Sequence, residues 1–483
     1  VMTVENLAQT SYSVPKTQAL NANTIYYWKV IASDGTNELS SPIWSFTTRI
    51  PVEVVFVDPN LEQAVRDAIG KQTGPIYDYE AEGITELDAS EKNISDLSGI
   101  EYLIGLTHLY LNWNQIQDLS PVSNLGNLFL LYVEGNQITD LSPILGMANL
   151  EMISVGYNPL NDITQVTLMS WLGELVAPGL GITDLSFVSQ LPNLYGLHIH
   201  QNNVSDISLL LTMGNIKYLG IGWNPVVNVE SVGTMTQLRY LSICGYGISD
   251  VSFLTGMTNL YQLDLRYNNI TDLSPIENLT NILYLHLGHN NLTNISFTAQ
   301  DNQPVLMDLR KDFTDKEFPF FELSAEDSFV YSVGEGLSLQ SLASLSNLMI
   351  LDLEYNLIDD ITPLENLTRL YDLNLRGNRI TCIEPLVNNN GLGSGDKIYL
   401  QKNHLDLTPD STDMQHIQIL QNRGAIVYYT PQKQPLVVPW NPSPTDGATN
   451  VTVAPVLSWE CSEELAYRDR KSTRLNSSHV SQS

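Results

Sequence analysis

Two histidines, His198 and His200, are spaced so that both side chains lie on one face of a β-strand. Imidazole nitrogens in this arrangement could begin a zinc site, which takes three or four protein ligands. The positions 22 residues earlier hold Val176 and Pro178, and the positions 22 residues later hold glycine. Because the sequence supplies no third ligand, we predict that this pair binds no metal.

Nucleophilic catalysis requires a serine or cysteine held beside a general base. The chain has no GxSxG motif, which marks a strand–turn–helix nucleophile elbow, and most serines fall in expected turns. Its three cysteines, Cys244, Cys382 and Cys461, are too few for a disulfide framework. We therefore predict a protein that is not an enzyme, has no cofactor and is stabilised by its packed core.

The histidine pair belongs to a segment that recurs every 22 residues with the pattern LxxLxLxxNxIxDL. Strand alternation sends the leucines of LxLxxN inward and the residues between them outward. We expect the recurring amide to bind backbone groups that the turn leaves unpaired. This amide, which we call the slot amide, stands at Asn114, Asn136, Asn158, Asn202, Asn224, Asn268, Asn290, Asn356 and Asn378.

An acidic residue follows the slot by four positions in most copies. It precedes Leu-Ser-Pro or Leu-Ser-Phe, so we expect it to cap the return turn through backbone N–H groups. A calcium ladder is the alternative, but the carboxylates arrive singly and calcium needs several oxygens at one point. The column comprises Asp96, Asp118, Asp140, Asp162, Asp184, Asp206, Asp250 and Asp272.

Three regions depart from the pattern. The copy around Leu180 has Pro178 and Gly179 where strand residues belong, which predicts an irregular strand. Between 301 and 345 the consensus fades, yet counting by 22 reaches Asp312 and Gly334, so we expect two degenerate repeats. The segment 388–395 adds three residues and moves the last slot to Asn403.

The outward positions vary most and are rich in aromatic residues. Such rings could merely pack across strands, or they could anchor a ligand with large contact area and few torsions to freeze. We predict that the ligand-binding residues are Tyr110, Trp113, Tyr132, Tyr157, His198, His200, Tyr218, Trp223, Tyr240, Tyr267, Tyr284, His286 and His289.

The repeats, about 15 in number, occupy residues 84–430 including a C-terminal cap, with flanking segments of different character. Leu20, Thr24 and Tyr26 are arranged as in a tyrosine corner, so residues 1–49 resemble the C-terminal part of a fibronectin type III sandwich. Residues 50–83 predict a helical N-terminal cap, because Asp58 precedes an apolar stripe that ends at Gly70. We assign 431–444 to a Pro-rich linker, 445–468 to a truncated second sandwich and 469–483 to a non-native tail that resembles a translated sequencing adapter.

Charge limits the partners. The chain has 23 basic and 53 acidic side chains and a net charge of -30, which repels phosphate-rich ligands, so we exclude nucleic acid. No run of about 18 apolar residues could span a bilayer.

The unit ending in Asn-x-Ile-x-Asp-Leu-Ser-Pro resembles the 22-residue class of leucine-rich repeats found in bacterial internalins and in cytosolic regulators of protein phosphatase. The resemblance implies an α/β repeat solenoid, a horseshoe with a parallel β-sheet on its concave face and short 3-10 or helical return segments. It implies a protein ligand on that face. The sandwich fragments favour the internalin class, and hence a monomeric bacterial protein that is extracellular or at the cell surface. Glycan binding, a targeting role in a larger secreted enzyme, and a passive spacer are the alternatives.

Overall fold

The structure, a computed structural model, describes residues 20, 21, 23–33, 38–292, 339–433, 440–443 and 458–460. The chain divides into two compact units, residues 1–227 and 228–483. None of the helices in the described ranges has the length and apolar content needed to cross a membrane.

The first unit opens with two antiparallel strand pairs. The strands are β1 (Ile25–Trp28), β2 (Ile31–Ser33), β3 (Glu38–Ser40) and β4 (Trp44–Thr47). β1 pairs with β4, and β2 pairs with β3. The Trp28 and Trp44 rings lie 4.7 Å apart, yet both side chains are exposed.

A short helical segment precedes the repeats. It contains β5 (Glu53–Val54), α1 (Pro59–Ile69), β6 (Ile76–Tyr77) and α2 (Asp78–Ala81). Asp58 caps α1, because its Oδ1 accepts a hydrogen bond from Asn60 N at 2.9 Å, and Gly70 ends the helix with φ of 67°. The predicted helix is therefore confirmed. The second Asp58 oxygen accepts from Ser95 N at 2.8 Å, which ties α1 to the first repeat.

Seven parallel strands carry the repeats of the first unit. Leu109 pairs with Leu131, which pairs with Ile153, so neighbouring strands lie 22 residues apart and their central side chains are buried. The strands are β7 (Glu86–Asp88), β8 (His108–Tyr110), β9 (Leu130–Tyr132), β10 (Met152–Ser154), β11 (Glu174–Val176), β12 (Gly196–His198) and β13 (Tyr218–Gly220). The return segments are 3-10 helices at Ile100–Tyr102, Ser120–Val122, Ser142–Ile144, Ile163–Leu168, Ser186–Gln190 and Leu210–Thr212.

Seven further parallel strands build the second unit. They are β14 (Tyr240–Ser242), β15 (Gln262–Asp264), β16 (Tyr284–His286), β17 (Ile350–Asp352), β18 (Asp372–Asn374), β19 (Lys397–Tyr399) and β20 (Ile426–Tyr428). Its return segments are 3-10 helices at Val229–Thr234, Ser252–Leu254, Ser274–Ile276, Leu339–Ser344 and Thr362–Leu364, with helices α3 (Glu384–Asn388) and α4 (Thr412–Asn422). β21 (Trp440–Ser443) and β22 (Ser458–Glu460) form a separate antiparallel pair.

The slot amides bind the backbone as predicted. Asn136 Nδ2 donates to Leu111 O at 2.9 Å and to Val133 O at 3.0 Å, and its Oδ1 accepts from Ile116 N at 3.0 Å. Each amide thus serves its own repeat and the one before it. An amide is suited to this place because it both donates and accepts.

The acidic column caps the return turns, which also confirms the prediction. Asp118 Oδ1 accepts from Ser120 N at 2.8 Å, and the same contact recurs between Asp206 and Ser208. Hydrogen bonds from the Ser120 hydroxyl and backbone lower the pKa of Asp118. In the ranges that the structure covers, no group of three or more His, Cys, Asp or Glu side chains could hold a metal ion.

The strand expected to be irregular is regular. Leu175 of β11 pairs in register with Ile153 and with Leu197. Pro178 is tolerated because the ladder takes its hydrogen bonds from the N–H groups on either side, at Ala177 and Gly179.

The two degenerate repeats expected between 301 and 345 fall largely on residues 293–338, which lie outside the described residues, so they stay a prediction. Leu285 of β16 pairs directly with Leu351 of β17, and Asn356 Nδ2 donates to Leu287 O at 3.0 Å. This is the contact that each slot amide makes with the preceding rung of the ladder.

Candidate functional site

The residue immediately before each slot amide, which we call the pre-slot residue, has a left-handed backbone. Glycine occupies this place at Gly135 and Gly179, with φ of 64° at both. Elsewhere the place is filled by bulky side chains, for which this region costs about 1–2 kcal/mol. The aromatic ones are Trp113 (φ 55°), Tyr157 (51°), Trp223 (57°), Tyr267 (56°), His289 (56°) and Tyr355 (49°), and Glu91 (59°), Gln201 (53°) and Lys402 (57°) adopt the same conformation.

In the first unit two pre-slot rings meet across a glycine. The centroids of Trp113 and Tyr157 lie 5.5 Å apart although the residues belong to repeats two rungs apart. Gly135 makes this possible, since a Cβ there would lie 2.3 Å from Trp113 Cε3. The Tyr157 hydroxyl donates in turn to Gln201 Oε1. Trp113 remains 51% exposed, so its ring is accessible from solvent.

In the second unit three pre-slot rings form a stack. His289 lies between Tyr267, at 4.2 Å between centroids, and Tyr355, at 4.7 Å. The His289 Nε2 is 3.5 Å from Glu354 Oε1. All three rings are partly exposed, and His289 is packed between the two tyrosine rings.

The predicted site residues differ in their exposure. Tyr157, His200, Trp223, Tyr267, Tyr284 and His289 are partly exposed, and Trp113 is exposed. Tyr110, Tyr132, His198, Tyr218, Tyr240 and His286 are buried. The Tyr110 and Tyr132 rings meet edge to face at 5.5 Å, because strands about 4.8 Å apart bring bulky outward side chains into contact. Ligand binding by these thirteen residues stays a prediction.

Buried carboxylates accompany the rings of the first unit. Glu134 Oε1 accepts a hydrogen bond from Ser154 Oγ, and burial raises the pKa of Glu134 to about 7. The Nε2 of His198, one of the two histidines considered as metal ligands, lies 3.2 Å from Glu174 Oε1 in a carboxylate–imidazole contact. Glu134 and Glu174 were missed as candidates, although their outward register places them on this face.

In the second unit one buried carboxylate is paired with a cation. Asp264 binds Arg266 through two hydrogen bonds of 3.0 and 2.9 Å, and Ser242 Oγ donates to the same carboxylate at 3.2 Å. Burial alone would raise the pKa of Asp264, but the Arg266 guanidinium holds it well below its usual range. Burial lowers the pKa of His286 to about 4 and raises the pKa of Asp352 to about 7.

Sequence reasoning missed a cationic group beside the ring stack. The guanidinium carbon of Arg376 and the Nζ of Lys402 each lie 5.5 Å from the Tyr355 ring centroid. Lys402 Nζ also donates to Tyr355 Oη at 3.2 Å. The signal was present, because Lys402 is itself the pre-slot residue of Asn403.

Parallel strands at 22-residue spacing, 3-10 returns and a ladder of buried amides define a leucine-rich repeat solenoid. The family of leucine rich repeats (2 copies) matches residues 236–277. The chain is similar to an internalin (inlF) from Listeria monocytogenes, with 25% identity, a TM-score of 0.47 and coverage of 80% of this chain and 99% of that one. It is also similar to the functional domain of InlJ from Listeria monocytogenes, with 22% identity, a TM-score of 0.40 and coverage of 76% and 78%. A plant peptide hormone receptor in complex with RGF2 is 18% identical, with a TM-score of 0.38 and coverage of 68% and 48%. A search of curated proteins gives no match.

Proposed function

We propose that this chain is a non-catalytic recognition protein that binds a protein ligand on the outward face of its repeats. The observation that carries the proposal is the set of accessible aromatic rings at Trp113, Tyr157, Trp223 and Tyr267, each held on a left-handed backbone. Glycine would relieve this strain, and four repeats do use it. Strain of this kind persists where function requires the side chain, and aromatic rings are frequent anchors of protein interfaces.

We further propose that the protein acts outside the cell or at the cell surface, as an internalin-like adhesion protein. The antiparallel pairs before the repeats support a sandwich neighbour of fibronectin type III character. Within them the Tyr26 hydroxyl accepts from Asn21 N at 2.8 Å, the contact expected of a tyrosine corner.

Replacement of Trp113, Tyr157, Trp223 and Tyr267 by Ala tests the proposal. Ligands would be captured by crosslinking from surface proteins of a candidate host, identified, and then titrated against the purified chain. We expect at least a hundredfold loss of affinity with an unchanged circular dichroism spectrum, since each aromatic anchor contributes about 1–2 kcal/mol or more. The control removes the exposed ring of Tyr79, which belongs to α2 and not to a strand of the repeats. Unchanged capture by the quadruple variant would refute the assignment.

The same variants separate the alternatives. The chain is applied to a glycan array beside a control without the repeats. A signal above that control, lost in the quadruple variant, would indicate that this face binds carbohydrate. If no outward substitution alters any activity of the protein, the repeats act as a spacer.

A further inference from the structure

The cations beside Tyr355 stand out in a chain of net charge -30. Arg266 is held by two hydrogen bonds to Asp264, whereas neither Arg376 nor Lys402 forms an ion pair with a carboxylate of the described residues. Glu354 is the carboxylate whose charge Arg376 influences, and it lies toward His289 at 3.5 Å. Two cations therefore converge on one ring without being neutralised by direct contact.

Arg376 has a donor directed at no acceptor. Its Nε is buried and has no hydrogen-bond partner among the described residues. A buried donor without an acceptor is unfavourable, so its persistence points to a group that completes it. The Nε and a terminal nitrogen of a guanidinium form a planar fork that matches the two oxygens of a carboxylate.

The net charge of the side chains around Tyr355 indicates the charge of the ligand that they would bind. Arg376 and Lys402 carry two positive charges and Glu354 one negative charge, which leaves a single positive charge to be matched. A monoanion fits this balance. A polyanion would bring further negative charge toward a chain with 53 acidic residues, which repel it.

We propose that Arg376 and Lys402 bind the carboxylate of an aspartate or glutamate side chain of the protein ligand, at the edge of the Tyr355 ring. The inference rests on the proposed function and specifies one contact of the ligand. A turn of the Arg376 side chain presents its Nε and a terminal nitrogen to the two carboxylate oxygens, and Lys402 Nζ, which donates to Tyr355 Oη at 3.2 Å, supplies the second cation. Gly377 leaves room for the Tyr355 ring on the intervening rung, since a Cβ there would lie 2.6 Å from Tyr355 Cδ1.

The test uses a probe of defined chemistry and the full chain. The probe is an alternating alanine–glutamate peptide with blocked ends, compared with the same peptide carrying glutamine, and binding is measured by calorimetric titration at low and moderate salt. We expect the glutamate peptide to bind and the glutamine peptide to bind at least about tenfold more weakly. Added salt should weaken the glutamate peptide, because the contact is ionic.

A matched pair of variants locates the contact. The double variant R376Q/K402Q should weaken the glutamate peptide by about tenfold or more. The control R369Q/K397Q removes one arginine and one lysine from the opposite ends of the same two strands, and it should change binding by less than about twofold. K402Q alone should give an intermediate loss, which keeps the test valid if the double variant folds poorly.

Three results would overturn the inference. They are no binding of the glutamate peptide, equal loss in both double variants, and displacement of the peptide by sodium sulfate at concentrations where sodium acetate has no effect. The last would assign the group to a sulfate or phosphate ester. None of these depends on Trp113, Tyr157, Trp223 or Tyr267, so the aromatic quadruple variant tests the proposed function separately.

Discussion

The outward faces of the two units share one scaffold and differ in charge. The first unit places Glu86, Asp88, Glu91, Glu134 and Glu174 at outward positions and has no lysine or arginine there. The second unit places Asp264, Asp352, Glu354 and Asp372 alongside Arg266, Arg376, Lys397 and Lys402. The inward ladder is the same in both. The repeat therefore determines the positions of the outward side chains, and the residues at those positions determine the charge of each unit's outward face.

The largest expected effect comes from breaking the ion pair between Asp264 and Arg266 in the second unit. Asp264→Asn leaves Arg266 partly buried beside a neutral amide, and we expect a loss of about 3 kcal/mol in the free energy of unfolding at neutral pH. The paired Asp264 has a pKa below that of the unfolded chain, so its stabilisation is present above about pH 4 and is lost as the pH falls through its folded value. Urea titrations from pH 3 to 8 measure both.

The control for this change is Asp272→Asn in an exposed turn of the same unit, where the amide keeps an oxygen for Ser274 N. We expect a much smaller loss there. An equal loss in the two variants would mean that the Arg266 pair contributes nothing specific.

For Glu134 in the first unit, the contribution to stability should change with pH in the opposite direction. Burial raises the pKa of Glu134 to about 7, so the folded chain holds this proton more tightly than the unfolded chain, whose glutamate titrates near 4.3. Stability must then fall as the pH rises from about 4 to 7 and level off above. Glu134→Gln should stabilise the protein by roughly 1–3 kcal/mol at pH 8 and have almost no effect at pH 4.

Glu91→Gln is the matched substitution, because Glu91 is exposed on the same face. At pH 8 its free energy of unfolding should differ from that of the unmodified chain by much less than that of Glu134→Gln. Destabilisation by Glu134→Gln at pH 8 would show that the carboxylate is neutralised by a partner and would remove the contrast between the units.

The smallest effects concern the pre-slot rings. Trp113→Gly relieves a left-handed bulky residue and loses one ring contact, so the free energy of unfolding should change by less than about 1 kcal/mol. His289→Gly loses two stacked neighbours and should cost about 1 kcal/mol. Thermal unfolding of the two variants compares them directly. A large loss in Trp113→Gly would indicate that this ring serves the fold and not a ligand.

The inward half of the repeat could be predicted from the sequence because its hydrogen bonds favour one residue type. A side chain that donates and accepts suits the place of Asn136, which most repeats fill with Asn, and a short acceptor caps the turn at Asp118. The three-residue extension before Asn403 followed from the same frame, and Leu373 indeed pairs with Ile398.

The outward half could not be predicted in the same way. The burial of Tyr132 and the contact of Trp113 with Tyr157 depend on side chains one and two rungs away, which periodicity does not describe. The left-handed pre-slot backbone was signalled by Gly135 and Gly179, but glycine alone is compatible with many turns.

Counting by 22 cannot decide how many rungs lie between two strands. Leu285 and Leu351 are 66 residues apart, which is three periods of 22, so the phase is preserved whether or not two rungs lie between them.

Each slot amide bonds its own repeat and the preceding one, so the two ends of the array are not equivalent. Each repeat has its carbonyl groups bound by the repeat that follows, so the C-terminal edge is the one left incomplete and the edge from which fraying should start. The chain closes that edge with Gln432, whose Nε2 donates to Leu400 O at 3.0 Å and to Tyr429 O, and whose Oε1 accepts from Leu405 N at 3.4 Å. A shortened protein that ends before Gln432 would lose its end group, and the last repeat would melt first.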